Sequence, residues 1–185
     1  MTRQKPAAVA SALRALGLSQ VLKVRFLAAR IDVEAGQPKL AAPLMATLLS
    51  APQPESQAYG KLLASMTARL NNDHSAAIKA AEESSKLLDT WIGRFELGRA
   101  YLAAGQYPSA DAEFDRCISR RGEAAMLFLD EESTYGYFPI VYFYQGLVRE
   151  GMKLNAADKF RAYLAIREAA GEDPLIADLR RRIAK

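Results

Sequence analysis

The sequence predicts an all-α protein built as a stack of antiparallel helix hairpins. Composition is the first reason. The 185 residues include 34 Ala and 23 Leu against 6 Val and 8 Ile, a bias toward helix formers and away from β-branched residues. Periodicity is the second. Stepping by 34 aligns Arg30, Ala64 and Gly98; the preceding residues are Ala29, Leu63 and Leu97. Twelve residues on stand Ala42, Ala76 and Ala110, and four further Ala46, Ala80 and Phe114. A period of about 34 is the length of one helix–turn–helix unit. Punctuation is the third, because Gly and Pro fall where such units must turn.

In chain order, an extra helix is expected over 7–17, with Leu13 and Leu16 on its buried side. The first hairpin covers about 23–56 and turns at Gly36 and Pro38. The second, 57–90, keeps Leu63, Ala64, Ala76 and Ala80 but lacks matching aromatics. The third, 91–124, is clearest. Leu97, Gly98 and Tyr101 share one helix, Gly105 to Pro108 make the turn, and Ala110, Phe114 and Cys117 line the next helix. Small residues at 98 and 110 let two helices approach closely, and Tyr101 and Phe114 fill the adjoining space. The fourth hairpin, about 139–170, carries Tyr142, Gly146, Ala156, Phe160 and Tyr163 in the same order. Its turn, Gly151–Asn155, is about two residues short of the pattern. Asp173 as N-cap and Pro174 at the first position start a capping helix over 174–184. It would cover the last hairpin's apolar edge.

Leu97, Gly98, Tyr101, Gly105, Tyr107, Ala110 and Phe114 resemble the tetratricopeptide repeat, although its usual Trp position is Arg94 here. The resemblance implies a right-handed superhelical stack whose concave face is lined by the first helix of each hairpin. It implies protein binding in that groove rather than catalysis. The runs Cys-x-x-Arg-Arg-Gly-Glu-Ala at 117–124, Leu-Phe-Leu-Asp-Glu at 127–131, Tyr-Gly-Tyr-Phe-Pro at 135–139, Tyr-Leu-Ala-Ile-Arg at 163–167 and Gly-Glu-Asp-Pro-Leu at 171–175 give residues 57–183 a resemblance to the C-terminal repeat region of bacterial multidomain signalling proteins, which often carry a serine/threonine kinase domain upstream. No Gly-rich loop, His-Arg-Asp or Asp-Phe-Gly occurs here, so kinase activity is not implied.

One interruption breaks the period. Gly98 and Gly146 are 48 residues apart, which places an insertion at about 122–138. Met126 to Leu129 would lengthen the preceding helix, and Asp130 to Thr134 would form an acidic loop. Six aromatics crowd positions 135–144. Tyr135 and Tyr137 neighbour the loop formers Thr134 and Gly136 and are expected to face a partner. Phe138 and Tyr142 are expected in the core.

Net charge is +4, and residues 1–31 hold no acid. Basic residues do not alternate with aromatics as a nucleic-acid platform requires, so solvated helix faces are expected and nucleic acid is not. No window is apolar enough to span a bilayer. Arg14 and Gln20 interrupt the start, so no secretory signal is expected, and the chain reads as cytoplasmic, with an extracytoplasmic part of a longer chain as the alternative. One cysteine excludes an internal disulfide.

Catalytic chemistry is sparse. His74 is the single histidine, read as an exposed turn residue. Glu82-Glu83 and Glu131-Glu132 are adjacent pairs whose members point apart on a helix. No nucleotide-binding or nucleophile-elbow motif is present. The reading is a non-enzyme with no cofactor and no metal.

In the repeat frame, groove positions include Lys61 and Arg69 in the second unit, Phe95 and Arg99 in the third, and Phe143 and Leu147 in the fourth. Cations among apolar residues suit a peptide with apolar anchors and a carboxylate or phosphate. Ile92 and Phe95 serve equally well as packing against the neighbouring hairpin, because the two sets of positions adjoin on a helix. The alternative to peptide capture is self-association, or a regulatory role within a larger signalling chain, through Tyr135, Tyr137 and their aromatic neighbours.

Overall fold

A computed structural model describes residues 4–125, 138–170 and 173–184. The helices are α1 (Gln4–Leu18), α2 (Leu22–Glu34), α3 (Pro38–Ser50), α4 (Pro54–Leu70), α5 (His74–Leu87), α6 (Trp91–Ala103), α7 (Tyr107–Ser119), α8 (Ile140–Gly151), α9 (Ala157–Arg167) and α10 (Ile176–Ile183). No strand occurs among the described residues. Helices pack mainly on their neighbours in sequence.

Four turns share one geometry. Between α2 and α3, α4 and α5, α6 and α7, and α8 and α9, the chain passes through a left-handed residue: Gly36, Asn72, Gly105 and Lys153. Each time the next residue's N–H donates to a carbonyl five residues back, as in Gln37 to Asp32, Asp73 to Ala68, Gln106 to Tyr101 and Leu154 to Arg149. This six-to-one bond closes the orphan carbonyls at a helix C-terminus. Pro38 and Pro108 then open α3 and α7, where a missing N–H costs nothing. Asp73 caps α5 by accepting the Ala76 N–H at 3.0 Å.

The chain forms two compact units that divide within α6, Met1–Glu96 and Leu97–Lys185. In the first, α2 packs on α3 and also on α4, two helices along. The Phe26 and Tyr59 rings meet at 4.8 Å. The α4–α5 crossing is stitched by two buried serines. Ser65 donates to the Ala77 carbonyl and Ser84 to the Ala58 carbonyl, each at 2.8 Å. A hydroxyl is short enough to let the helices approach while satisfying itself on the partner backbone.

In both hairpins of the second unit, a glycine of the first helix faces a phenylalanine ring of the second. A Cβ on Gly98 would lie 2.7 Å from Phe114, and one on Gly146 would lie 2.0 Å from Phe160. The glycine-to-phenylalanine spacing is 16 in one hairpin and 14 in the other. The shorter α8–α9 hairpin therefore keeps the same contact. Buried Phe160, Tyr163 and Leu164 also receive Leu179 of α10.

Leu13, expected on the buried side of α1, is 71% exposed, and three further details depart from expectation. The last α-helix starts at Ile176, with Leu175 rather than Asp173 as its cap residue. Asp173 instead accepts bonds from the Tyr163 hydroxyl, Arg167 and the Leu175 N–H, so its oxygens are spent before the helix begins. His74 is half-buried as the first residue of α5, not exposed in the turn, because Asp73 starts the helix there. After α7 ends at Ser119, Arg121–Ala125 is a 3-10 helix. The expected extension at Met126 to Leu129 lies outside the described residues.

Candidate functional site

In the first unit, the expected contact residues sit on α4 and α6 and arrive with partners. Lys61, half-exposed on α4, donates to Glu83 of α5 at 2.6 Å. That bond and the lysine's charge hold the Glu83 carboxyl below its ordinary pKa. Arg69, in the last turn of α4, places a guanidinium nitrogen 3.8 Å from Glu96. Phe95 is buried with its ring stacked on Trp91, centroids 5.4 Å apart. It therefore forms core beneath the helix face rather than presenting a contact. Ile92 is buried as well.

Sequence reasoning missed an ionic cluster here. Glu96 is 1% exposed, and its carboxylate lies between Arg30 at 3.5 Å and Arg69 at 3.8 Å. Arg30 is itself buried and also reaches Glu34 at 3.1 Å. A buried carboxylate is tolerable only with such partners. A signal did exist. Arg30 occupies the frame position held elsewhere by Ala64 and Gly98, so a long cation stands where a small residue is the rule. Nearby Asp32 is buried, and loss of hydration raises its pKa. Burial also pushes the Tyr59 hydroxyl up to about 12, with a smaller contribution from Glu55.

In the second unit, the guanidinium carbon of Arg99 lies 5.2 Å from the Tyr144 ring centroid, a cation–π distance. The same ring stacks on Phe114 at 5.8 Å. Half-buried Phe143 packs its edge on Tyr144 at 5.2 Å. Leu147 is half-buried one turn further along α8. Arg99, Phe143 and Tyr144 thus form one chain of contacts. Tyr135 and Tyr137 lie outside the described residues.

Also unforeseen is fully buried Gln145, whose amide nitrogen donates to Asp115 at 2.7 Å and lies 3.5 Å from Asp111. Burial, then repulsion from Asp115, raises the Asp111 carboxyl, and Arg149 and Lys159 oppose that rise. No group of three or more His, Cys, Asp or Glu suited to a metal occurs among the described residues. Cys117 is buried. No helix among the described residues is long and apolar enough to cross a membrane.

No family model, no curated protein and no solved structure matches this chain.

Proposed function

We propose that the chain is a tetratricopeptide-like scaffold that binds an extended peptide or protein segment, and that it is not an enzyme. The observation that carries this is the repeated hairpin turn, with the same six-to-one bond and left-handed residue at Gly36, Asn72, Gly105 and Lys153. A recurring turn makes a recurring hairpin, and stacked hairpins present their first helices side by side. The packing of α2 on α4 supports that arrangement in the first unit.

The binding residues proposed are Lys61 and Arg69 on the first unit and Arg99, Phe143 and Leu147 on the second. Arg99 held over Tyr144 is a cation fixed at an aromatic face, suited to a carboxylate beside an apolar anchor. Phe95, buried against Trp91, acts from below by fixing the course of α6.

The test is selection of peptides displayed from a random library on the intact chain. Selected peptides should contain an acidic residue beside an apolar one. Leu147→Asp and Arg99→Gln should each weaken them about tenfold, the size of one good contact. A library that yields no binder, or binders indifferent to both substitutions, rejects the proposal.

A further inference from the structure

The tip of the α1–α2 hairpin carries a feature that the scaffold reading does not use. Leu18 is 89% exposed, Leu13 71% and Val21 53%. Leu13, Arg14, Gly17 and Leu18 fall on one exposed arc of α1, and Val21 immediately precedes α2. Leucines so exposed are not frayed ends here, because the connection is tied. The Ser19 N–H donates to the Ala15 carbonyl at 2.9 Å. The Gln20 amide donates to the Leu16 carbonyl at 2.5 Å and accepts from Arg25 at 3.2 Å. Gln20 thus spends its polar atoms holding the turn, while Leu18 and Val21 stay in solvent.

The collar around this tip is basic. Arg14 lies one turn before Leu18 on α1 and Arg25 four residues after Val21 on α2, and no Asp or Glu precedes Asp32 in the sequence. Arg14 bonds the Ser11 hydroxyl at 2.8 Å and Arg25 the Gln20 amide. Both partners are uncharged, so these bonds leave the positive charge in place. An exposed apolar tip flanked by cations on a stretch of chain without acids matches one kind of surface, where hydrocarbon lies beneath a layer of anionic groups.

We propose that the α1–α2 tip docks onto an anionic lipid bilayer, inserting Leu18 and Val21 while Arg14 and Arg25 meet the lipid phosphates. A nucleic acid offers the phosphates without the apolar layer, and a second copy of this chain offers a tip of the same charge. The inference is independent of the peptide-binding reading.

The experiment is cosedimentation of the full chain with phosphatidylcholine vesicles, alone or doped with phosphatidylserine or phosphatidylglycerol. Both anionic mixtures should bind the chain at least about tenfold better than neutral vesicles, since charge and not headgroup identity is read. Leu18→Ser with Val21→Ser should lower that binding about tenfold, and Arg14→Gln with Arg25→Gln should lower it severalfold and flatten its salt dependence. All four side chains lie outside the core, so circular dichroism should be unchanged. As a second readout, Leu18→Trp keeps an apolar tip and should shift its emission to the blue on anionic vesicles. Absent binding, equal binding to neutral vesicles, or binding indifferent to the Leu18 and Val21 pair overturns the proposal. So does a dimer seen by light scattering that the same pair abolishes.

Discussion

Gly146 shows how little room a helix crossing leaves. A methyl group there would sit 2.0 Å from the Phe160 ring, and one on Gly98 would sit 2.7 Å from Phe114. Gly146→Ala should therefore cost about 2–3 kcal/mol in urea unfolding, within the range for overpacking, and Gly98→Ala less. Pairing Gly146→Ala with Phe160→Leu should recover part of the loss. Lys153 is the opposite case. Its φ of 59° is a strained value for a side chain with a Cβ. Lys153→Gly should raise stability by about 1 kcal/mol, and a lower urea midpoint would count against the turn described here. Glu96 is a third case. Glu96→Gln keeps the shape but leaves Arg30 buried without its deepest partner, so a loss of about 3 kcal/mol is expected. These costs differ in visibility. The small residue at 98 could be read from its neighbours Leu97 and Tyr101. The Glu96 cluster was marked only by the long Arg30 at a small-residue position, which does not name its partners, because Arg30, Arg69 and Glu96 meet only after three helices have packed.

Element α10 is held by an apolar contact and by charge. Leu179 is buried in the α9 cluster, and Arg182 pairs with Glu150 of α8. The segment leading into it is fixed by Asp173. Burial pushes that carboxyl up, but the Tyr163 hydroxyl, the Leu175 N–H and Arg167 more than offset the effect, so its pKa lies below the ordinary carboxylate value. The same contact, after burial, raises the Tyr163 hydroxyl. A carboxyl whose pKa is depressed on folding stabilises the fold above its unfolded value of about 4, and that stability is lost as pH falls through the folded value. The protection factor at the Leu179 amide should accordingly fall in acid, below about pH 4, before that of the rest of the second unit. Asp173→Asn should remove that acid sensitivity while speeding exchange at neutral pH. The hairpin turns were legible because Gly36 and Gly105 announce a left-handed residue. Asn72 and Lys153 occupy the same conformation without a glycine to mark it, since the six-to-one bond and the packing of the flanking helices impose it.

For the whole molecule, the scaffold reading makes a thermodynamic demand. A peptide that binds only the folded chain raises stability by mass action, about 2.7 kcal/mol at a hundredfold excess over its dissociation constant. A selected peptide should therefore raise the melting temperature of the chain, and the Leu147→Asp variant should show almost none of that rise. A rise of equal size in the variant would place the peptide elsewhere. Candidate contacts were only partly legible at this scale. A sequence frame gives the angle of a residue on its helix, not the depth of that helix face. Phe95 and Arg99 lie one turn apart on α6, yet Phe95 stacks on Trp91 in the core and Arg99 lies over Tyr144.

By itself the sequence determined that this chain is helical, where most of its helices turn, and which small residues meet large ones. Each of those depends on neighbours within one hairpin, where chain connectivity fixes which groups come together. Only the tertiary structure decided that Lys61 and Arg69 come with carboxylate partners, that Asp173 serves Tyr163 and Arg167 before a helix cap, and that Leu18 and Val21 are left in water. Those outcomes rest on contacts and exposures set once separate helices have packed, and no local pattern of residues encodes them.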